Sequence, residues 1–305
     1  MTSTTFRFAL LVCASIVSGG LVAGGCNVAI PPTDDNGNDN APAENDNGNG
    51  TEEFTLYVNA QVDAELDDTQ GLDRIVEALL ERNLITTIYV TAEYARDHPW
   101  TIHDFFLQGF EIALHGYGSG EDLTGMSYEE QHDLLTQALH TLEGCQPCGT
   151  YKAVKGFRPQ SFSQDEETYR VLDELELVHN SGFKAGELYI TGHQQDAVPY
   201  PVEGYNFHAV PVTVIEYGGR PIHLCDTACA IDEGMTADQW AEALQIGLDQ
   251  VSTEQVPLVV IFHGWYTGNT EHDDFWQAFV DFLNEVTARG GVFVTTQDLV
   301  NLYAD

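Results

Sequence analysis

Four residues able to bind a cation or move a proton each follow a short apolar run: Asp63 in QVDAE, His115 in GFEIALHGY, Arg158 in GFRPQSFS and His263 in PLVVIFHGW. A carboxylate and a neutral imidazole are ordinary ligands for a divalent metal. A second histidine can exchange a proton near neutral pH, and a guanidinium can orient a carboxylate. The stretch around His115 is only half-built for metal binding, because the ligand expected one turn onward stands at Ser119. A neutral hydroxyl replaces imidazole poorly on zinc. In the loop GSGED, Glu121 and Asp122 are possible replacement ligands. Taken singly, each acid or histidine reads equally well as a helix cap or a buried structural group. The shared position in successive units is the signal.

That position follows from a regular alternation of elements. Strand-like runs fall at residues 54–62, 85–90, 110–115, 154–157, 257–262 and 292–295. Helical periodicity falls at 72–82, 101–108, 127–142, 165–177, 237–251 and 273–289. Ser127 and Glu130 have the spacing of a capping box. Residues 180–233 are irregular, rich in Gly, Pro and Tyr, with one clear strand near 208–215. Repeated strand–helix units imply parallel strands with helices outside, in a closed barrel or an open doubly wound sheet. In both, the loops at the carboxyl ends of the strands build the site, and this gathers Asp63, His115, Arg158 and His263 at one rim.

On these motifs the chain from about residue 54 to 303 resembles the polysaccharide deacetylase (NodB-homology) family. GFEIALHGY is similar to the family's GHEIGLHGY, GFRPQSFS to its arginine motif and VVIFHGW to its C-terminal histidine strand. GGVFVTTQDLVNLY is similar to its last strand and helix. The resemblance implies a distorted α/β barrel, of (β/α) type, as a single domain. It also implies a metal-dependent hydrolase, zinc being the expected ion, that removes acetyl groups from N-acetylated sugars. By position, Asp63 and His115 match metal ligands, His263 the general acid and Arg158 the residue that orients the catalytic base. Two departures stand out. Gln61 occupies the base position, where an amide cannot take a proton, and Ser119 replaces the second metal histidine. Asn180 falls where many relatives carry Asp. The sequence therefore fits a hydrolase with a degenerate or rearranged site. It also fits a non-catalytic glycan-binding barrel, with an aromatic rim drawn from Tyr117, Trp265 and Tyr266, and a purely structural surface lipoprotein.

The rest of the chain bears on compartment and partners. Residues 1–26 read as an export signal ending in AGGC, with Cys26 as the candidate lipidated residue, and residues 27–52 as an Asn/Asp/Gly-rich tether to a domain at 53–305. The expectation is an exported protein, anchored to a membrane only through lipid, that meets cell-wall or extracellular glycan. With 11 Lys+Arg against 48 Asp+Glu, a formal charge of −37 argues against nucleic acid as a partner. Cys145, Cys148, Cys225 and Cys229 form two close pairs. In an oxidising compartment they read as disulfides, with a structural zinc site as the alternative.

Overall fold

In the computed structural model, which describes residues 54–65, 69–144 and 154–304, strands and helices alternate. The strands are β1 (Tyr57–Ala64), β2 (Thr87–Val90), β3 (Glu111–Leu114), β4 (Gly156–Phe157), β5 (His179–Lys184), β6 (Tyr200–Pro201), β7 (His208–Val212), β8 (Val214–Tyr217), β9 (Arg220–His223), β10 (Leu258–His263) and β11 (Val292–Phe293). The helices are α1 (Thr69–Leu80), α2 (Ala92–Asp97), α3 (Pro99–Leu107), α4 (Tyr128–Gly144), α5 (Glu166–Glu174), α6 (Ala237–Glu254), α7 (Asp273–Ala288) and α8 (Thr296–Tyr303). The expected signal and tether, with Cys26, lie outside the described residues, as do Cys145 and Cys148.

The main sheet runs β10-β1-β2-β3-β4-β5-β7-β6, with β11 also on β1, and every pair is parallel except β6 with β7. It curls until β7 nears β10, where Thr213 N donates to Val259 O at 3.0 Å and Ile261 N donates to Leu224 O at 2.9 Å. This is the distorted barrel that the family resemblance implied, one of the two arrangements left open by the alternation. Side-chain alternation along β1 assigns the layers. Val58, Ala60 and Val62 join the large apolar core with the helices, whereas Asn59, Gln61 and Asp63 belong to the opposite, interior row. On β10 the interior row is Val259, Ile261 and His263, in register with those three β1 residues.

Local signals account for most elements. Ser127 and Glu130 make the capping box at the start of α4, with Ser127 N donating to Glu130 Oε2 at 2.8 Å and Glu130 N donating to Ser127 Oγ at 3.4 Å. Besides the short β6 and β9, one strand departs from expectation: β5, HNSGFK, sits where the pattern looked irregular. Its polar and small residues obey packing rather than β propensity. At Gly182 an added Cβ would stand 2.6 Å from Pro159 Cδ and 2.8 Å from the Gln164 amide, so the strand passes this loop only as glycine.

At the amino ends of the strands, Glu111 ties four elements together. Its Oε1 meets His179 Nε2 at 2.7 Å, and its Oε2 accepts from Thr87 Oγ1 at 2.6 Å and from Gln297 N at 3.0 Å, in the first turn of α8. Burial alone would raise the Glu111 pKa, but the His179 charge and these hydrogen bonds together hold it below its ordinary 4.5. A folded-state pKa that is lowered stabilises the protein above the ordinary value, and that share is lost as pH falls through the folded value. Stability is accordingly expected to drop below about pH 4.5. Glu111→Ala should cost about 3–5 kcal/mol in urea unfolding at pH 7, and Glu111→Gln should flatten the acid limb.

Candidate active site

The carboxyl ends of the strands open onto a cavity of about 360 Å³. Its wall includes Asp63 from β1, His263 from β10, and His115 and Arg158 from the residues just after β3 and β4. The four residues gathered by the sequence pattern therefore meet. Asp63 and His263 are direct register partners on adjacent strands.

Arg158 is the organising residue. It is 1% exposed, lies with its guanidinium 4.5 Å over the Tyr89 ring, forms an ion pair with Asp63 Oδ1 and donates from NH1 to Gln61 Oε1 at 2.9 Å. Burial lowers its pKa to about 9, which leaves it cationic at neutral pH. Gln61 is locked on every side. Its Nε2 donates to Asn59 Oδ1 and Ser181 Oγ, each at 2.7 Å, and Ser181 Oγ also lies 2.9 Å from its Oε1. A carboxylate at 61 could not make the donations, so the amide belongs to a closed polar network inside the barrel.

The two histidines are set in the same tautomer. His115 Nδ1 lies 2.8 Å from the carbonyl oxygen of Arg158, an acceptor, so the ring donates there and its Nε2 is left as a lone pair. His263 Nδ1 donates likewise to Asp226 Oδ1 at 2.6 Å. Both Nε2 atoms stand 3.4 Å from Asp63 Oδ2. Burial lowers the His115 pKa, against the raising influence of Glu65. Asp63 Oδ2 and the His115 Nε2 lone pair face each other as two acceptor atoms. Their 3.4 Å spacing is close to the edge of a tetrahedron whose ligands stand about 2.1 Å from a central ion. Asp63 and His115 thus fit a divalent metal.

A fourth group, not foreseen from sequence, completes the wall. Glu65 accepts from Trp265 Nε1 at 2.9 Å and from Ser119 Oγ at 3.2 Å, and its Oε1 is 3.9 Å from His263 Nε2. Burial opposes its ionisation, but the His115 and His263 charges and these two donors prevail and lower its pKa. Ser119, read as a defective metal ligand, holds this carboxylate instead. The signal was available: Asn59, Gln61, Asp63 and Glu65 form one period-two polar row. Asp226 was also missed, because no apolar strand announces it. It is fully buried and accepts from His263 N, Thr267 Oγ1 and Thr227 N as well as the His263 ring.

Several expected residues lie elsewhere. Glu121 turns back to accept from Tyr117 N at 3.0 Å and Gly118 N at 2.7 Å, so it caps its own loop and is no metal ligand. Gly116, at φ 81°, permits this turn, since a Cβ there would meet the Glu121 carboxylate. Asp122 accepts from Thr124 Oγ1 at 2.7 Å and from Ser163 Oγ, outside the cavity. Of the three aromatic residues, Trp265 alone lines the cavity; Tyr117 packs against the core, and Tyr266 stacks on His272 at 4.2 Å. Asn180 donates to Gln164 Oε1 and likewise lies off the cavity.

Cys225 and Cys229 are free thiols rather than a disulfide: Cys225 Sγ faces Thr227 Oγ1 and Cys229 Sγ faces the carbonyl of His223. Burial raises both to about 12, so neither is a thiolate at neutral pH. The ligand atoms of Cys225, Asp226 and His263 lie within 4.8 Å of one another. That group does not suit a metal, because the Asp226 oxygens already accept four hydrogen bonds.

Comparison with known proteins gives three solved structures of the same fold. A Mycobacterium smegmatis protein described as a polysaccharide deacetylase shares 18% identity at a TM-score of 0.65, over 83% of this chain and 91% of its own. An allantoinase shares 16% at 0.66, over 81% and 89%. A CE4 family pseudoenzyme from Bacillus anthracis shares 12% at 0.52, over 81% and 65%. Residues 60–179 match the family profile described as Polysaccharide deacetylase. No curated protein sequence matches the chain significantly.

The buried ion pair gives a direct test. Arg158→Met should cost about 3–5 kcal/mol in chemical denaturation, because Asp63 is left uncompensated. Adding Asp63→Asn should recover part of that loss, a coupling a double-mutant cycle measures.

Proposed function

We propose, because residues 60–179 match the polysaccharide deacetylase profile, that the chain hydrolyses the C–N amide bond of N-acetylated sugars with Glu65 as proton acceptor in place of position 61. One observation carries this reading. Glu65 reaches the same cavity wall as Asp63, His115 and His263, and, unlike Asp63, its carboxylate is not held by the Arg158 guanidinium.

A divalent cation, zinc by the chemistry of its donors, would be held by Asp63 and His115 and would supply Lewis acidity toward the acetyl carbonyl. The chain's own residues handle the protons. Glu65 takes one from the attacking water and passes it to His263 Nε2, 3.9 Å away, which delivers it to the departing amine nitrogen. Asp226 keeps the His263 ring oriented and stabilises the imidazolium formed between the two transfers. Asp63 is held in place by Arg158, and Trp265 Nε1 aims Glu65. Products are acetate and a free amino sugar.

A second reading, a glycan-binding barrel without turnover, is favoured by Gln61 and by the fold shared with a pseudoenzyme. In either case the partner is cell-wall or extracellular glycan, met by an exported, lipid-anchored protein. With zinc supplied, the purified chain should release acetate from N-acetylated chitooligosaccharides, and Glu65→Gln should lower kcat/KM by about 10²–10⁴. A protein that stays inert with zinc present, yet binds glycans in a way abolished by Trp265→Ala, contradicts hydrolysis and supports the second reading.

A further inference from the structure

Two of the 11 Lys and Arg residues in this chain of charge −37 line the same cavity. Arg158 is committed to Asp63 and Gln61, but Lys184, at the end of β5, is not committed to any carboxylate among the described residues. Glu187 and Asp232 act on it only through space. Its Nζ stands 4.4 Å over the Phe162 ring, a face that accepts no ordinary hydrogen bond, so the ammonium keeps its three donors for something else. Burial lowers the Lys184 pKa, as expected for an ammonium partly stripped of water.

The floor beneath it is built under strain. Ser161 and Phe162 adopt φ of 51° and 59°, successive left-handed conformations that non-glycine residues rarely take. This loop places the Phe162 ring in the cavity wall, where His223 packs edge-on to it at 5.2 Å. Burial and the Lys184 charge push His223 down to about 3, so it remains neutral and leaves Lys184 as the cation of that end.

From this arrangement we infer that the Lys184 end of the cavity binds a carboxylate carried by a sugar ring, while the Asp63 and Glu65 end faces the acetamido group. The inference deepens the glycan reading above and rests on it. A single ammonium with Asp232 also on the wall suits a monoanion better than a phosphate dianion. The negative charges of Asp63 and Glu65 at the far end fix the direction in which an acidic glycan enters.

The ligand carboxylate has two chemical sources, a C6 uronate or a lactyl ether on the ring. Calorimetric titration of the full chain, with and without zinc, should compare chitobiose with disaccharides of N-acetylglucosamine joined to glucuronate or to N-acetylmuramate. At least one acidic disaccharide should bind about tenfold tighter than chitobiose, an advantage that shrinks as salt rises. Lys184→Met should erase the advantage and Lys184→Arg should keep it, with thermal melts confirming that both variants fold. Equal affinities, no binding of any probe, or an advantage that survives Lys184→Met would overturn the inference. A carboxylate preference in a protein that releases no acetate would leave it standing and remove only the hydrolase reading.

Discussion

The buried contact between Arg158 and Asp63 is the constraint around which the rest of the site is arranged. One residue performs two tasks: its guanidinium fixes Asp63, and its carbonyl oxygen fixes the His115 tautomer at 2.8 Å. Both prospective metal ligands are therefore oriented from the short segment after β4. The charge is kept buried by the cradle around it, with the Tyr89 ring on one face and the Gln61 amide at its edge. A buried ion pair of this kind does little for net stability and much for geometry.

In the proposed mechanism, Gln61 marks the position from which the proton acceptor has moved. In the barrel interior an amide both donates and accepts, so it closes a network with Asn59, Ser181 and Arg158 that a carboxylate would break. The cost is a missing proton acceptor at that position and one negative charge fewer beside the cation site. Glu65, four residues further along the chain in the same row, returns a carboxylate to the wall, and Ser119 and Trp265 hold it there. The two substitutions that looked like losses thus belong to one rearrangement. Ser119 holds the Glu65 carboxylate that the proposed mechanism uses in place of position 61.

The strand–helix alternation was legible from sequence because the strands are short apolar runs and the helices carry a clear period, whereas the barrel itself came from the family resemblance. The gathering of Asp63, His115, Arg158 and His263 followed from strand ends alone. The missed residues had weaker signals. Asp226 comes from a segment without periodicity, and β5 is specified by close packing at Gly182 rather than by propensity. Tyr117, Glu121 and Tyr266 were misplaced because they follow their strands, where loop geometry decides which way a side chain turns. That geometry depends on local backbone, as with the left-handed Gly116, and residue spacing does not encode it.

The most direct test of the account is anomalous diffraction at the zinc edge from crystals grown with zinc. The account predicts one peak about 2.0–2.2 Å from both Asp63 Oδ2 and His115 Nε2, with Glu65 facing it. An empty position between those two atoms at saturating zinc, or a peak on Cys225 and Asp226 instead, would contradict it.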